Sequence, residues 1–220
     1  MYPENEESLA LSLVLSQRLD FADEGYGFAT EFTATLRCYD DEADAMITVG
    51  ILTGFVFDFS VAMHITDDGI DLTWLLDLKG EYDEYTDLFD LETGEYCAEV
   101  EEMTQSLGCS IDTLIFHKLA IHPQYRGRGF TAVLMRHVIR RLGSGSDLVA
   151  LHAVPLQFKR TVLDEFGEFA KALTFDELPS DEQTADEKLR AYYTRLGFRS
   201  LPSNPRLMIL EPHELCPVVI

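Results

Sequence analysis

The chain is poor in positive charge. Across 220 residues, 17 lysines and arginines stand against 39 aspartates and glutamates. Only five of the 17 are lysine. The formal net charge of −22 repels nucleic acid and anionic membranes, so neither is expected as a partner. Cysteine is scarce as well. Cys38, Cys97, Cys109 and Cys216 are far apart and form no C-x-x-C pair or Cys/His cluster. That argues against a zinc site, and no metal is expected. No apolar run reaches the roughly 18 residues of a membrane span. The opening Met1-Tyr2-Pro3-Glu4-Asn5-Glu6-Glu7 is acidic where a secretory signal starts basic. Together these absences imply a cytoplasmic protein with free thiols. Internal repeats and low-complexity tracts are also missing.

The chain does have material for a core. It is 46% hydrophobic, and its length fits a single domain over residues 1–220. The charge is unevenly spread. Residues 1–110 carry 26 acids against Arg18, Arg37 and Lys79, a net of −23. Residues 111–220 carry 13 acids against 14 bases, a net of +1. An anionic half of this kind attracts a cationic substrate, such as a polyamine, an aminoglycoside or a lysine side chain. It equally suits an acidic surface adapted to high salt or to solubility, and the excess of arginine over lysine is compatible with that.

Residues 8–15 read as strand or helix. Residues 26–39 and 45–59 are rich in Phe, Thr, Val and Ile and predict a long antiparallel hairpin turning at Asp40–Asp44. Residues 71–107 are acidic with spaced apolar points such as Leu76, Leu88, Val100 and Met103, and predict one or two helices. Asp83, Glu84, Asp87 and Asp90 read either as a solvated helix face or as the path of a cationic substrate. Thr113–Ile121 predicts a buried strand and Gly129–Leu142 a helix. Asp147–Val154 predicts a strand broken at Pro155. Residues 157–186 form a mostly polar insertion. A helix over Asp186–Leu196 stops at Gly197, and Leu207–Leu210 is a last strand.

The most telling stretch is Leu119-Ala120-Ile121-His122-Pro123-Gln124-Tyr125-Arg126-Gly127-Arg128-Gly129-Phe130. A strand runs into a two-glycine turn and then at once into a helix. Glycines let the main chain approach a phosphate, and the first N–H groups of a helix lack internal partners. The helix dipole adds partial positive charge there. No G-x-x-x-x-G-K-[ST] run exists. A dinucleotide fingerprint would need an acidic residue at the end of the next strand, and Asp147 sits instead in a Gly-Ser-rich loop.

Gln124-x-x-Gly127-x-Gly129 resembles the acyl-CoA loop of the GNAT family of N-acetyltransferases. Leu119–Pro123 resembles the strand that precedes it, and Tyr192-Tyr193-Thr194-Arg195-Leu196-Gly197-Phe198 the family's late helix with its Gly-Phe turn. The resemblance covers about residues 111–212. It implies an α/β fold, GNAT-like, with a mixed, mostly antiparallel central sheet flanked by helices. One departure stands out. The family places its two substrate-side helices before the hairpin, whereas here an acidic helical insertion precedes the cofactor strand.

The same resemblance implies acetyl-CoA, or another acyl-CoA, as cosubstrate. Main-chain groups of Leu119, Ala120 and Ile121 would pair with its pantetheine arm. The N–H groups of Gln124, Tyr125, Arg126, Gly127, Arg128 and Gly129 would bind its pyrophosphate, with Phe130 and Thr131 opening the helix and Thr131 adding a hydroxyl. Tyr193 stands four residues before Gly197, where the family places the acid that protonates the leaving sulfur. A phenol with a pKa of about 10 suits that task. His117 occupies a strand position where relatives carry a glutamate base, and a neutral imidazole can take a proton from an ammonium. His152 is a second candidate, and Gln157 stands near where relatives carry an asparagine. His122 and His137 read as structural. The implied activity is acetyl transfer to a primary amine on a cationic small molecule or a protein, in a chain that can form a homodimer. The alternative is a non-catalytic acidic protein on the same scaffold that meets a basic partner or mimics nucleic acid.

Overall fold

The computed structural model describes residues 9–17, 29–42, 44–59, 83–104, 111–158 and 166–214. Seven strands form one sheet: β1 (Leu9–Gln17), β2 (Ala29–Asp40), β3 (Ala45–Phe57), β4 (Thr113–Ile121), β5 (Leu148–His152), β6 (Arg199–Ser200) and β7 (Leu207–Leu210). Their order is β1-β2-β3-β4-β5-β7-β6. Only β4 and β5 run parallel; every other pair is antiparallel. The mixed, mostly antiparallel sheet is the one expected. The ambiguous first segment is a strand, and its register brings Leu11 opposite Leu36 of β2.

Four α-helices are described: α1 (Ala98–Met103), α2 (Phe130–Leu142), α3 (Glu168–Lys171) and α4 (Glu182–Arg195). On one face of the sheet, Leu134, Met135, Val138 and Ile139 of α2 pack with Tyr193 of α4 on Phe32, Leu36, Leu114 and Phe116. On the other face lie residues 83–104 of the acidic segment between β3 and β4. They contain a 3-10 helix, Asp83–Leu88, followed by α1. Tyr85, Leu88, Phe89, Tyr96 and Val100 pack there on Phe55, Phe57, Ile115 and Leu207. The net acidity of this segment therefore hides an apolar face that fills one of the two layers a sheet must bury. Residues 71–82 and 105–107 of the expected acidic helices lie outside the described residues.

The start of α4 differs from the sequence reading. The helix begins at Glu182, not Asp186, because the Asp181 side chain accepts the Thr184 amide at 2.7 Å and caps it. The insertion is shorter by that turn. Its residues Phe166, Ala170 and Leu173 pack on Ala120 near the end of β4.

One irregularity positions the site. Against β3, Thr53 faces Lys118 but Gly54 faces Phe116. His117 is thus an extra residue, a bulge in β4. Gly54 is needed beside it. A Cβ there would come within 2.0 Å of the Ile115 carbonyl oxygen and 2.7 Å of the Phe32 ring.

Candidate active site

The parallel pairing of β4 with β5 ends at Phe116 opposite Leu151. β4 continues to Ile121 along β3 alone. β5 stops at His152, and beyond it the Ala153 amide donates to the Arg206 carbonyl at 2.7 Å before Pro155 turns the chain. A parallel strand normally gives its slanted hydrogen bonds to both neighbours. Here, among the described residues, the Leu119–Ile121 stretch has a strand neighbour on one side only, and a cleft of about 930 Å³ opens where the strands part.

At the end of β4 the chain makes a 3-10 turn, Pro123–Tyr125. Within it the Tyr125 amide donates to His122 and the Arg126 amide to Pro123, at 2.9 and 3.1 Å. Those two N–H groups, expected on a pyrophosphate, are engaged inside the turn. Gly127 and Gly129 follow with φ of 75° and 82°, a region that costs an L side chain about 1–2 kcal/mol. Gly129 is the N-cap of α2, and no side chain caps it. The unpartnered N–H groups of the first turn of α2 therefore face the loop without a protein acceptor. Together with the amides of Gly127, Arg128 and Gly129 they make a cluster of donors suited to an anion.

With one exception, the residues singled out for the site from the sequence line this one cleft: His117, Leu119, Ala120, Ile121, Tyr125, Arg126, Gly127, Arg128, Gly129, Phe130, Thr131 and Tyr193, with His152 and Gln157. Gln124 does not. It sits in the middle of the 3-10 turn with an exposed side chain. Tyr125 also packs in the core, and its ring lies 5.3 Å under the Arg128 guanidinium. Among the described residues the Arg126 side chain makes no ion pair with the acidic half and is held by main-chain carbonyls. Its Nε donates to the Ile121 carbonyl at 3.2 Å and its Nη1 to the Thr174 carbonyl at 3.4 Å. Burial disfavours its charge, and the nearby Glu177 partly offsets that. Arg126 latches the insertion onto the glycine loop.

Tyr193 is buried, with 8% of its surface exposed. Burial, and secondarily Tyr192, push its phenol well above the ordinary value. It is a weaker acid than the free phenol expected from the sequence, because its phenolate would lie out of water. The neighbouring Tyr192 lines the cleft too and carries Arg195 over its ring at 5.8 Å. His117 Nδ1 lies 3.3 Å from the Tyr85 hydroxyl. His152, the weaker candidate, also lines the cleft, and its Nδ1 lies 3.0 Å from Glu84 Oε2. Gln157 lines it as well, while its amide donates to the Pro179 carbonyl at 3.2 Å. His122 is a turn residue, its amide bonded to Val49, and His137 is exposed on α2.

The acidic group read as a possible cation path is dispersed by the fold. Glu84 meets His152. Asp87 accepts from the Asn204 side chain at 2.9 Å, and Asp90 accepts the amides of Glu92 and Thr93 in its own turn. The cleft wall has the opposite character. Among the described residues it contains Arg126, Arg128, Lys188 and Arg195 and no carboxylate. Sequence reasoning missed the wall made by Ala185, Lys188 and Leu189 of α4. Their helical spacing was the available signal. Among the described residues no group of side chains suited to a metal ion occurs, and no helix is long and apolar enough to cross a membrane.

No family model matches the chain, and no curated protein matches it. Solved structures with a similar course of the chain include the KacTA–DNA complex, at 13% identity and a TM-score of 0.39 over 92% of this chain and 94% of that one. AtaT complexed with acetyl-methionyl-tRNAfMet gives 12% identity and a TM-score of 0.41, over 94% and 96%. NAA60 of Arabidopsis thaliana, in complex with a bisubstrate analogue, gives 12% and 0.38, over 84% and 77%. Likenesses of this degree assign neither a substrate nor a residue role to the chain.

Proposed function

We propose that the protein is an acyl-CoA-dependent N-acyltransferase that moves an acetyl group from acetyl-CoA to a primary amine, and that residues 1–220 work as one unit. One observation carries this reading: the half-paired end of β4 leads, through Gly127 and Gly129, into the uncapped N-terminus of α2. An extended polar arm can add to the free strand edge, and a pyrophosphate can sit on the amides that follow. The cleft's four basic side chains and lack of carboxylates, in a chain of net charge −22, fit a polyanionic cosubstrate.

Acetyl-CoA supplies the activated thioester when bound. Main-chain groups of Leu119, Ala120 and Ile121 hold its arm, the Ile121 carbonyl doing so while it also accepts from Arg126. The amides of Gly127, Arg128 and Gly129 hold its phosphates, joined by those of Phe130 and Thr131 and by the Arg128 side chain. Tyr193 donates a hydrogen bond to the leaving sulfur and releases its proton only as charge builds there, as its raised pKa requires. A histidine at the parting of the strands, His117 or His152, takes the proton of the acceptor ammonium. The acceptor is a primary amine, and the acidic first half favours a cationic one.

Calorimetric titration with acetyl-CoA and with coenzyme A tests the reading. Micromolar binding of both is the expected result. Absence of binding would overturn it and move attention to a non-catalytic role of the acidic half.

A further inference from the structure

His117 and His152 are the next residues after the last parallel pair, Phe116 opposite Leu151. They follow it on β4 and β5, and both line the cleft. Two successive residues of the 3-10 helix Asp83–Leu88 reach them. Tyr85 meets His117 through a long contact of 3.3 Å, and the His117 ring is also flanked by Phe55 at 5.5 Å. Glu84 meets His152 at 3.0 Å, with side-chain exposures of 32% and 15%. An ionised carboxylate only accepts hydrogen bonds. In the neutral imidazole the contact therefore places the hydrogen on Nδ1 and leaves the lone pair on Nε2. Tyr85 imposes no such choice, since a hydroxyl both donates and accepts.

We propose that His152 is the base of this site, taking the acceptor's proton on Nε2, and that Glu84 is a positioning residue that fixes its tautomer and ring. The inference rests on the acyltransferase reading. Nε2 takes one proton from the ammonium and passes it to water. The freed amine nitrogen then forms the N–C bond and gives up a second proton to water. The C–S bond breaks, and the sulfur takes a proton from Tyr193, which water restores. The acidic segment thus contributes to the chemistry through one carboxylate.

The test uses the full-length protein, acetyl-CoA, and three probe amines: spermidine, lysine methyl ester and a tripeptide with a free N-terminus. Thiol release and acetyl-CoA affinity are followed together. His152→Gln should lower kcat/KM by about 100-fold or more and leave the acetyl-CoA Kd unchanged. The same change at His117 should cost less. Glu84→Ala should slow turnover, and the Glu84→Ala, His152→Gln double variant should be no slower than His152→Gln alone, because Glu84 acts through His152. Ring-nitrogen NMR should show the Nδ1–H tautomer of His152 in the wild type and a mixture in Glu84→Ala. Normal turnover in His152→Gln, additive losses in the double variant, or an Nε2–H tautomer in the wild type would overturn the proposal while leaving the acyltransferase reading intact. No acetyl-CoA binding, or binding without thiol release with any probe, would overturn both.

Discussion

At the scale of the residue, burial sets what Tyr193 can do. Its folded pKa is raised, so the neutral phenol is the form the fold favours. The same holds for Tyr96, whose burial raises its pKa and whose hydroxyl sits 2.9 Å from the Thr113 hydroxyl. Above about pH 10, the ordinary tyrosine value, an unfolded chain sheds these protons while the folded one keeps them. Stability is therefore fully present below that pH and falls as pH rises past it. Urea melts from pH 8 to 11 should show a falling midpoint, and the fall should be shallower in Tyr193→Phe. The same variant should lose about 100-fold or more in kcat, with acetyl-CoA affinity unchanged by calorimetry. Gly54 poses a different constraint. An added Cβ would strike the Ile115 backbone, which cannot rotate away as a side chain tip can. Gly54→Ala should destabilise by about 3 kcal/mol, read as a lower Tm.

At the scale of the element, the loop and the insertion work as a pair. Gly127 has no atom within 4 Å of where a Cβ would stand. Gly127→Ala thus pays only for its positive φ, about 1–2 kcal/mol, but the new methyl group stands in the approach to the donor cluster. Acetyl-CoA should bind at least about tenfold more weakly, a loss of roughly 1.4 kcal/mol. Arg126→Ala should free the insertion from the loop, so amide exchange over residues 166–178 should speed up while β4 stays protected. The sequence makes some of these elements plain and conceals others. β4 and β7 are readable to the residue because their apolar runs are bounded by polar or turn residues. The two-residue β6 is too short to leave a period. The true start of α4 is signalled by Asp181, but Asp186 offers a competing acidic start one turn later. The bulge at His117 leaves no local mark, since it exists only in the pairing with β3. The Glu84–His152 contact joins residues 68 apart in the chain, which no motif spacing announces.

At the scale of the whole molecule, two fields of opposite sign are superposed. The chain as a whole carries −22, while the cleft wall holds only basic ionic groups among its described lysines, arginines and carboxylates. Salt screens the long-range field more than the contacts inside a cleft. Stopped-flow association of acetyl-CoA should therefore quicken as KCl is raised, and that of a cationic acceptor such as spermidine should slow. The course of β4 at the cleft depends on a single surplus residue. Without His117, Thr53 and Gly54 would face consecutive residues of β4 in unbroken register, and each remaining side chain would keep its side of the sheet. Deletion of that one codon should yield a straighter β4, able to continue its ladder with β5 past Phe116. The shortened chain should melt no lower than the parent and bind no acetyl-CoA, so a gain in regularity would be a loss of purpose.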